Sequence, residues 1–463
     1  MREISRRALL SGAAVAGGGA AAGSLLGTAR SADAATAWQS KIMTNVKDFG
    51  ARGDGTTDDA KAINAAITAT GHGGTVWFPA GTYRVGSPIR LSQGLRYTAS
   101  NDWGVTIEQA PGANLPAVVA DAGYLDGQKW VSQGVTIEYL IINGRKDANH
   151  SGHGLVLMNW RAIVRSVKVL NTPEAGIVLS DLNIRGESYN GVAVENRIED
   201  CTISFTNSYG VWVMDHDFSG KITDGYLLNN VVESCEGTYG IRIDRAAGWF
   251  IENNHVYDSR HSAIFLDQVW CTFFGFNDID TFGLSGIPDA TFNGVMVDTL
   301  LVTGRPSIFI GNVSSTAQTH GPKSRFVHFH FIGNQPGTSR VTVVANVAHN
   351  DPRLGYSTIL GAADAENSVG FMYEAQTGGE LEVTDLANRS DGIFAPISLS
   401  NLGGSVRFIS DSPTLSMVLA RGDMFVGTGP SEMARLPVGK DGEVLMADSS
   451  SPFGVRWAPS SGG

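Results

Sequence analysis

Three short copies of one pattern decide the fold that the sequence predicts: Gly240-Ile-Arg-Ile-Asp244, Ala263-Ile-Phe-Leu-Asp267 and Gly294-Val-Met-Val-Asp298. In each copy, the first and third residues after the small one are aliphatic, and the second and fourth point the other way. Alternation with a period of two is typical of a strand with one buried face. Stacking these strands would create two neighbouring outward columns: Arg242, Phe265 and Met296, and then Asp244, Asp267 and Asp298.

The same small residue followed by aliphatic-x-aliphatic recurs every 22 to 34 residues through the middle of the chain, at Gly154, Gly176, Gly210, Gly240, Ala263 and Gly294. Asparagines follow two of these positions at an interval of 14 residues, at Asn254 and Asn277, and Asn230, Asn312 and Asn334 are their expected partners in other coils. A repeat of this length with short strands predicts a solenoid, and the asparagines are expected to stack in one of its turns.

The opening of the chain has its own pattern, "VKDFGARGDGTTDD" over residues 46–59 and "GGTVWFPAGTYRV" over residues 73–85. Between them, Ile63, Ala66 and Ile67 share one face of a predicted helix. These stretches resemble the opening of the pectate lyase-like superfamily, with rhamnogalacturonase- and tailspike-type proteins as the nearest kin. The resemblance is strong over about residues 44–90 and continues to about residue 350 as a repeat pattern. It implies an all-β fold, a single-stranded right-handed parallel β-helix with an N-terminal capping helix, over residues 35–410.

The two ends of the chain predict processing and assembly. Residues 1–34 resemble a twin-arginine signal peptide, with Ser5-Arg6-Arg7 before a Gly/Ala-rich run. We therefore expect a secreted, extracellular protein with no stable membrane anchor after processing. Residues 411–463 resemble a short C-terminal module of phage tail and fibre proteins, which implies attachment or assembly. The oligomeric state is left open between monomer and homotrimer.

The bulk composition is that of a globular protein: 463 residues, 42% apolar, 17% charged, and a net charge of −11. The acidic balance argues against a nucleic-acid partner. Three cysteines, Cys201, Cys235 and Cys271, cannot all pair and are expected to be packed thiols. No Cys/His spacing typical of a metal site surrounds them, so no metal ligands are predicted.

The aspartate column is the candidate catalytic site. Parallel strands lie about 4.8 Å apart, so carboxylates in neighbouring coils reach the spacing of a retaining glycosidase pair, and those two coils apart approach the inverting spacing. Like charges this close also raise the pKa of at least one acid. Calcium is the alternative means of stabilising the row, although no cofactor is predicted with certainty. The predicted catalytic residues are Asp244, Asp267, Asp298, Arg242 and His261.

A polysaccharide or oligosaccharide is the expected substrate. Aromatic side chains beside the acids would stack on sugar rings, and loops around residues 181–190, 215–224 and 281–293 would wall the groove. His328 and His330 alternate with phenylalanines, which predicts that both face outward as part of a basic rim. The predicted substrate-binding residues are Trp212, Phe265, Asp215, His216 and His328.

Three classes of function remain open from the sequence. The favoured one is cleavage of an extracellular polysaccharide, either by hydrolysis with a carboxylate pair or by β-elimination on a uronate, with Arg242 or a histidine as base. The second is a non-catalytic glycan-binding or adhesion protein. The third is an intramolecular glycosyl transferase or epimerase. The mechanism of polygalacturonase-type relatives is not carried over, because their Asn-Thr-Asp motif is missing and Gly152-His153-Gly154 precedes the aspartates.

Overall fold

Strands from successive coils stack in parallel into three long sheets, which form the walls of a right-handed parallel β-helix. The fold predicted from the repeats is thereby confirmed. The computed structural model describes residues 42–100, 103–285, 287, 290–302, 305–315, 324–349, 368–391, 395–410, 424–429, 432–451 and 454–459. The signal peptide predicted over residues 1–34 lies outside these ranges. None of the helices within them is long and apolar enough to cross a membrane.

Each of the long sheets takes one strand from almost every coil. The first sheet has 13 strands: β1 Met43–Asn45, β3 Thr75–Phe78, β6 Arg96–Ala99, β9 Thr136–Glu138, β12 Ile163–Arg165, β16 Arg197–Glu199, β20 Tyr226–Leu228, β23 Phe250–Glu252, β26 Phe273–Gly275, β29 Ser307–Ile310, β32 Gly337–Val344, β35 Gly379–Leu386 and β38 Ser405–Ser410. The second has 12: β2 Asp54–Asp58, β4 Gly81–Val85, β7 Val105–Gln109, β10 Ile141–Asn143, β13 Lys168–Leu170, β17 Thr202–Ser204, β21 Val231–Glu233, β24 His255–Ser259, β27 Asp278–Phe282, β30 Val313–Ser315, β33 Val347–His349 and β36 Arg389–Asp391.

The third sheet carries the repeated pattern. Its 11 strands are β5 Ile89–Leu91, β8 Ala117–Asp121, β11 His153–Leu157, β14 Ile177–Ser180, β18 Val211–Met214, β22 Tyr239–Ile243, β25 Ser262–Leu266, β28 Thr291–Val297, β31 Arg325–Gly333, β34 Ser368–Gln376 and β37 Ala395–Leu402. Inward side chains from all three sheets form one continuous core along the helix axis.

In the part of the chain that the structure describes, three further strand pairs lie outside these sheets. A short parallel pair joins β15 Ala193–Val194 and β19 Ile222–Thr223. Near the C-terminus there are two antiparallel pairs: β39 Met424–Gly429 with β40 Glu432–Leu436, and β41 Glu443–Ala447 with β42 Val455–Pro459. The domain boundary predicted at residue 410 and the separate role of the last segment both stay predictions.

Within the described residues, the helices are few and short. A 3-10 helix spans Val46–Phe49, α1 spans Ala60–Ala69 and α2 spans Ala122–Asp126. Ile63, Ala66 and Ile67 of α1 are buried, as their spacing predicts, and they close the first coil against solvent.

The repeated small residues have a packing reason. A Cβ added at Gly240 would come within 3.1 Å of Val256 Cγ1, and one at Gly294 within 2.5 Å of Ser314 Oγ. Both neighbours belong to the second sheet, so the position before each aliphatic-x-aliphatic run faces the interior. A larger side chain would have to displace the core there.

Buried asparagines form a hydrogen-bonded ladder in the turn that leads into the second sheet. Each amide nitrogen donates to the oxygen of the next asparagine, as in the 2.9 Å bond from Asn254 Nδ2 to Asn277 Oδ1. The ladder runs through Asn230, Asn254, Asn277, Asn312, Asn346 and Asn388. Four of the five predicted members are correct. Asn334 is not one of them, because it bonds to Asp298 O and Thr299 instead.

All three cysteines are free thiols. Cys201 and Cys235 are buried, as expected, and Cys271 is half-buried. Burial raises the pKa of Cys201 to about 12 and that of Cys235 to about 11.

Candidate active site

The two outward columns predicted from the pattern exist on the third sheet. In the first column, Trp212 pairs with Arg242, Arg242 with Phe265, and Phe265 with Met296. We call this set the flanking column. Asp244, Asp267 and Asp298 each follow the last residue of a strand in this sheet, and backbone bonds hold Asp267 N to Ile243 O and Asp298 N to Leu266 O. These three form the acid row, with neighbours about one strand spacing, ~4.8 Å, apart.

Asp244 already has two charged or polar partners. Arg242 Nε donates to Asp244 Oδ1 at 2.5 Å, and Trp212 Nε1 donates to Asp244 Oδ2 at 3.1 Å. Burial would lower the pKa of Arg242, but the hydrogen bond and charge of Asp244 outweigh it and leave the pKa raised. Arg242 is therefore a fixed cation, and the base role considered for it has no support in this geometry.

The negative charges of Asp267 and Asp298 are less well compensated than that of Asp244. Burial raises the pKa of Asp267, while hydrogen bonds from Thr299 and the Gln268 backbone N–H work in the opposite direction. Asp298 is half-buried, and burial followed by the charges of Asp267 and Glu374 raises its pKa, with a weaker opposing influence from Arg242. The row thus holds two neighbouring carboxyl groups that retain their protons to a higher pH than ordinary aspartates do.

One functional candidate, Glu374, was missed in the sequence, and its neighbour His330 was predicted only as part of an outward basic rim. His330 continues the flanking column after Met296, and its Nε2 lies 3.6 Å from Glu374 Oε2. Burial lowers the pKa of His330, and the charge of Glu374 opposes that shift. The outward orientation predicted for His330 is correct, since it pairs with Met296 and lines the groove described below. Glu374 lies beyond residue 350, where the repeat could not be phased.

A groove of about 410 Å³ opens beside these residues. Its polar and aromatic lining comes from β22, β25, β28, β31 and β34 and includes Tyr239, His261, Asn293, Arg325, His330 and Glu374. The predicted catalytic residue His261 is therefore in the groove, whereas none of the three acids of the row is among its lining residues. Met296 of the flanking column and Glu374 do line it, and the charge of Glu374 contributes to the raised pKa of Asp298. Burial, and then Arg260, lowers the pKa of His261, with Glu236 opposing.

The aromatic side chains of the flanking column pack against neighbouring rings and offer little surface to a substrate. Phe265 is 8% exposed and lies under the Tyr239 ring, with centroids 4.6 Å apart. Arg242 Cζ lies 5.4 Å from the Phe265 ring centroid. Trp212 is half-buried and packs edge-on against Tyr209. The direct sugar stacking on Phe265 that the sequence predicts is corrected by this geometry, whereas Tyr239 does line the groove.

Asp215 holds a loop together and does not face a substrate. Its side chain is fully buried, and Oδ2 accepts the backbone N–H groups of Gly220 at 2.9 Å and Lys221 at 2.8 Å. Burial raises its pKa, partly offset by the bond from Lys221. The structure corrects the predicted substrate-binding role, because a carboxylate enclosed by its own loop offers no surface to a sugar.

His216 is held by a buried aspartate. His216 Nδ1 lies 2.5 Å from Asp181 Oδ2, and Asp181 also accepts from Ser188 Oγ at 3.1 Å. Within the described residues, Asp181, His216 and Asp217 form the one cluster whose ligand atoms all lie within 4.8 Å. Lys221 Nζ is 3.9 Å from Asp217 Oδ2, and calcium prefers six to eight oxygen ligands. These residues fit an oriented histidine better than a calcium cage.

His328 points into the core, contrary to the outward orientation predicted from its alternation with phenylalanines. It is fully buried, with Nδ1 2.9 Å from Ser314 Oγ and its ring edge-on to Phe282. The physical reason is its register, since its neighbours Val327 and Phe329 pair with Asn293 and Val295, which places it opposite Gly294. The column of small residues that contains Gly294 faces the interior, so His328 does too, and the alternation with phenylalanines gives the wrong face. A buried His328 makes no contact with a substrate.

Comparison with known proteins agrees with the fold. Residues 43–270 match the family model described as rhamnogalacturonase A/epimerase, pectate lyase-like. The A-module of the mannuronan C-5 epimerase AlgE4 from Azotobacter vinelandii superposes with a TM-score of 0.52 at 17% identity, covering 78% of this chain and 99% of that one. At that identity the likeness shows the fold alone.

Curated relatives match over short segments. Alginate lyase 7 of Azotobacter vinelandii is 54% identical over 59 residues, 12% of this chain and 7% of that protein. A glucan 1,3-beta-glucosidase of Cochliobolus carbonum is 28% identical over 193 residues, 34% of this chain and 24% of that protein. The chain thus spans a quarter or less of the length of these relatives.

Together, the parallel coils and the family match over residues 43–270 support the pectate lyase-like superfamily that the opening sequence resembles. The solved and curated proteins it resembles include carbohydrate-active enzymes with different reactions.

Proposed function

We propose that this chain is a secreted carbohydrate-active enzyme that cleaves a polysaccharide by glycoside hydrolysis with a pair of carboxyl groups. The observation that carries the proposal is the Asp267 and Asp298 pair, in adjacent coils beside a groove of about 410 Å³, each with a raised pKa. The spacing of adjacent coils, ~4.8 Å, is close to the ~5 Å separation of retaining glycosidases.

The environments of the two acids support a different role for each. Asp298 is more exposed and is surrounded by the negative charges of Asp267 and Glu374, so it is the proton donor to the glycosidic oxygen. Asp267 accepts the Gln268 N–H at 2.7 Å, which favours its ionised form. As the bond from the anomeric carbon to the leaving oxygen breaks, the Asp267 carboxylate bonds to that carbon. Water then releases the sugar and gives its proton back to Asp298.

A second reaction, β-elimination on a uronate, is favoured by the groove itself. Arg325 and His261 supply basic groups, and Tyr239 places a phenol at the same groove. Burial raises the pKa of Tyr239, so its proton is retained and available for donation to a leaving oxygen. A cation that pairs with the uronate carboxylate would acidify the adjacent C5 proton. The relatives named as an alginate lyase and a mannuronan epimerase are consistent with uronate chemistry on this fold.

One product analysis separates these reactions. The protein is incubated with a panel of neutral and acidic polysaccharides, and both reducing ends and the absorbance of unsaturated uronates are recorded. Hydrolysis yields new reducing ends without the chromophore, and elimination yields both. Glycan binding without either product would support the adhesion alternative and contradict cleavage.

The site assignment is tested by variants. We expect Asp298→Asn and Asp267→Asn each to reduce the rate of cleavage by about 10²- to 10⁴-fold, the usual contribution of a proton-transfer group. Asp278→Asn is the matched control, because Asp278 is an exposed acid on β27 of the second sheet. Full activity in both acid-row variants would show that the chemistry takes place elsewhere.

A further inference from the structure

A second cavity lies at the turns that connect the third sheet to the first. Its volume is about 390 Å³, within the range of small-ligand sites. The lining that matters chemically consists of Arg245, Arg305, Trp270, Asp224, Ser219 and Thr223, and we call it the arginine pocket. It shares no residue with the groove or with the acid row.

The turns around this pocket are fixed by backbone hydrogen bonds between coils. Asp224 N donates to Ala247 O at 2.9 Å, and Gly248 N donates to Trp270 O at 2.8 Å. Gly248 has a φ of 71° and leaves room for the Asp224 carboxylate, which a Cβ at this position would meet. The pocket is thus a built feature of three successive coils, because each wall is tied to the next.

Arg245 is oriented with one edge of its guanidinium free. Nη1 donates to Phe218 O at 2.6 Å, which holds the group in place. Nε is buried and has no hydrogen-bond partner. A Cβ at Gly220 would lie 3.7 Å from Nε and 3.9 Å from Nη2, so this glycine keeps the space in front of that edge open. A buried donor without a partner is costly, and a ligand acceptor would remove that cost.

The chemistry around the free edge fits an acidic sugar. Nε and Nη2 of an arginine match the two oxygens of a carboxylate. Trp270 is 42% exposed and offers an apolar face for a pyranose ring. Asp224 can accept a sugar hydroxyl, and the two arginines outnumber this single acid, so the pocket remains net positive. We propose that the arginine pocket binds a uronate residue of an acidic glycan, as a binding site separate from the acid row.

Binding is measured by titration calorimetry with tetragalacturonate and tetramannuronate as acidic probes and cellotetraose as the neutral probe. The Asp298→Asn variant is used throughout, so that no cleavage disturbs the measurement. We expect at least one acidic probe to bind, cellotetraose to bind at least 10-fold more weakly, and added salt to weaken acidic binding.

Two independent variants locate the site. Arg245→Met should weaken acidic binding at least 10-fold, and Trp270→Ala about 5-fold. Arg245→Met also removes the hydrogen bond to Phe218 O and could weaken binding by disturbing that loop. Trp270→Ala is the second variant because it leaves this hydrogen bond in place. Arg161→Met is the matched control, since Arg161 lies in an earlier turn between the same two sheets and pairs with Glu195.

Unchanged affinity in both Arg245→Met and Trp270→Ala would overturn the proposal, as would equal affinity for the neutral and acidic probes. These outcomes leave the hydrolysis proposal standing, because they do not involve turnover. Conversely, loss of the acid-row assignment would not affect binding at the arginine pocket.

Discussion

Arg242 and Asp244 form an ion pair across one intervening residue of β22, with Nε 2.5 Å from Oδ1. Residues two apart on a strand share a face, so the pair is local and requires no loop to bring it together. It neutralises one acid of the row and leaves Asp267 and Asp298 as the pair for which we propose the chemistry. The division of three similar aspartates into one structural and two chemical groups depends on this contact.

The first prediction concerns that ion pair. Arg242→Met should lower the free energy of unfolding by about 3 kcal/mol, because it leaves the buried Asp244 carboxylate without its cation. Adding Asp244→Asn to the same chain should restore much of the loss. Thermal unfolding of both variants checks this, and Arg161→Met, which removes an exposed pair, should change stability by less than about 1 kcal/mol. Equal destabilisation by the single and double variants would argue against the pair.

The second prediction concerns the pH dependence of stability that Asp298 causes. Its pKa is raised in the folded chain, so its stabilising contribution is complete below the unfolded pKa and is lost as pH rises through the folded pKa. An asparagine cannot ionise and avoids that loss. Asp298→Asn should therefore unfold at a higher temperature than the parent chain at pH 7, with the gain shrinking toward zero below about pH 4.

Thermal midpoints measured from pH 3 to pH 8 check this. Asp147→Asn should change the thermal midpoint in the opposite direction, because the hydrogen bond from Arg145 lowers the pKa of Asp147. A gain for Asp298→Asn that is independent of pH would contradict the assignment of Asp298 as a proton-retaining acid.

The third prediction concerns His330 and Glu374. Burial lowers the pKa of His330, and the Glu374 charge opposes this effect. Glu374→Gln removes that opposition, so the His330 ring should lose its proton at a still lower pH. Titration of the ring proton signals by NMR measures the change. The signal of His153, which is half-buried in an early coil beside Glu174, is the internal control and should not move.

The sequence predicted the outward columns because period-two alternation survives in β22, β25 and β28. The sequence analysis placed His328 on the wrong face because the column of small residues from Gly154 to Gly294, which His328 continues, faces inward. Alternation within one strand contains no information about that column. Glu374 could not be assigned because it lies 42 residues after its register partner Ile332, a longer coil than the repeat allowed. The Asp181–His216 contact was also out of reach, since it joins two loops 35 residues apart.

The fourth prediction concerns calcium. We expect chelation by EDTA to leave thermal stability and cleavage unchanged, because Asp181 is committed to His216 and Ser188, and an ammonium group lies beside Asp217. Unfolding is recorded with EDTA and with millimolar calcium. A calcium-dependent rise in the unfolding temperature that disappears in Asp217→Asn would place a cation at this cluster and contradict our interpretation.

The fifth prediction tests the asparagine ladder as the element that fixes the register of the coils. Asn277 donates from Nδ2 to Asn312 Oδ1 and to Ile251 O, each at 2.9 Å, and its Oδ1 accepts from the backbone and side chain of Asn254. Asn277→Ala leaves several buried polar groups without partners, each costing about 1–3 kcal/mol. We expect a large loss of stability and, because the acid row lies in the same coils, reduced cleavage.

Asn207→Ala is the control for the ladder, because Asn207 is an exposed asparagine in a nearby coil. Its thermal midpoint should stay close to that of the parent chain. Asn277→Ser, which keeps a hydroxyl at this position, should recover part of the stability lost in Asn277→Ala. If Asn277→Ala proved as stable as Asn207→Ala, the inward columns of aliphatic side chains would fix the register without help from the ladder.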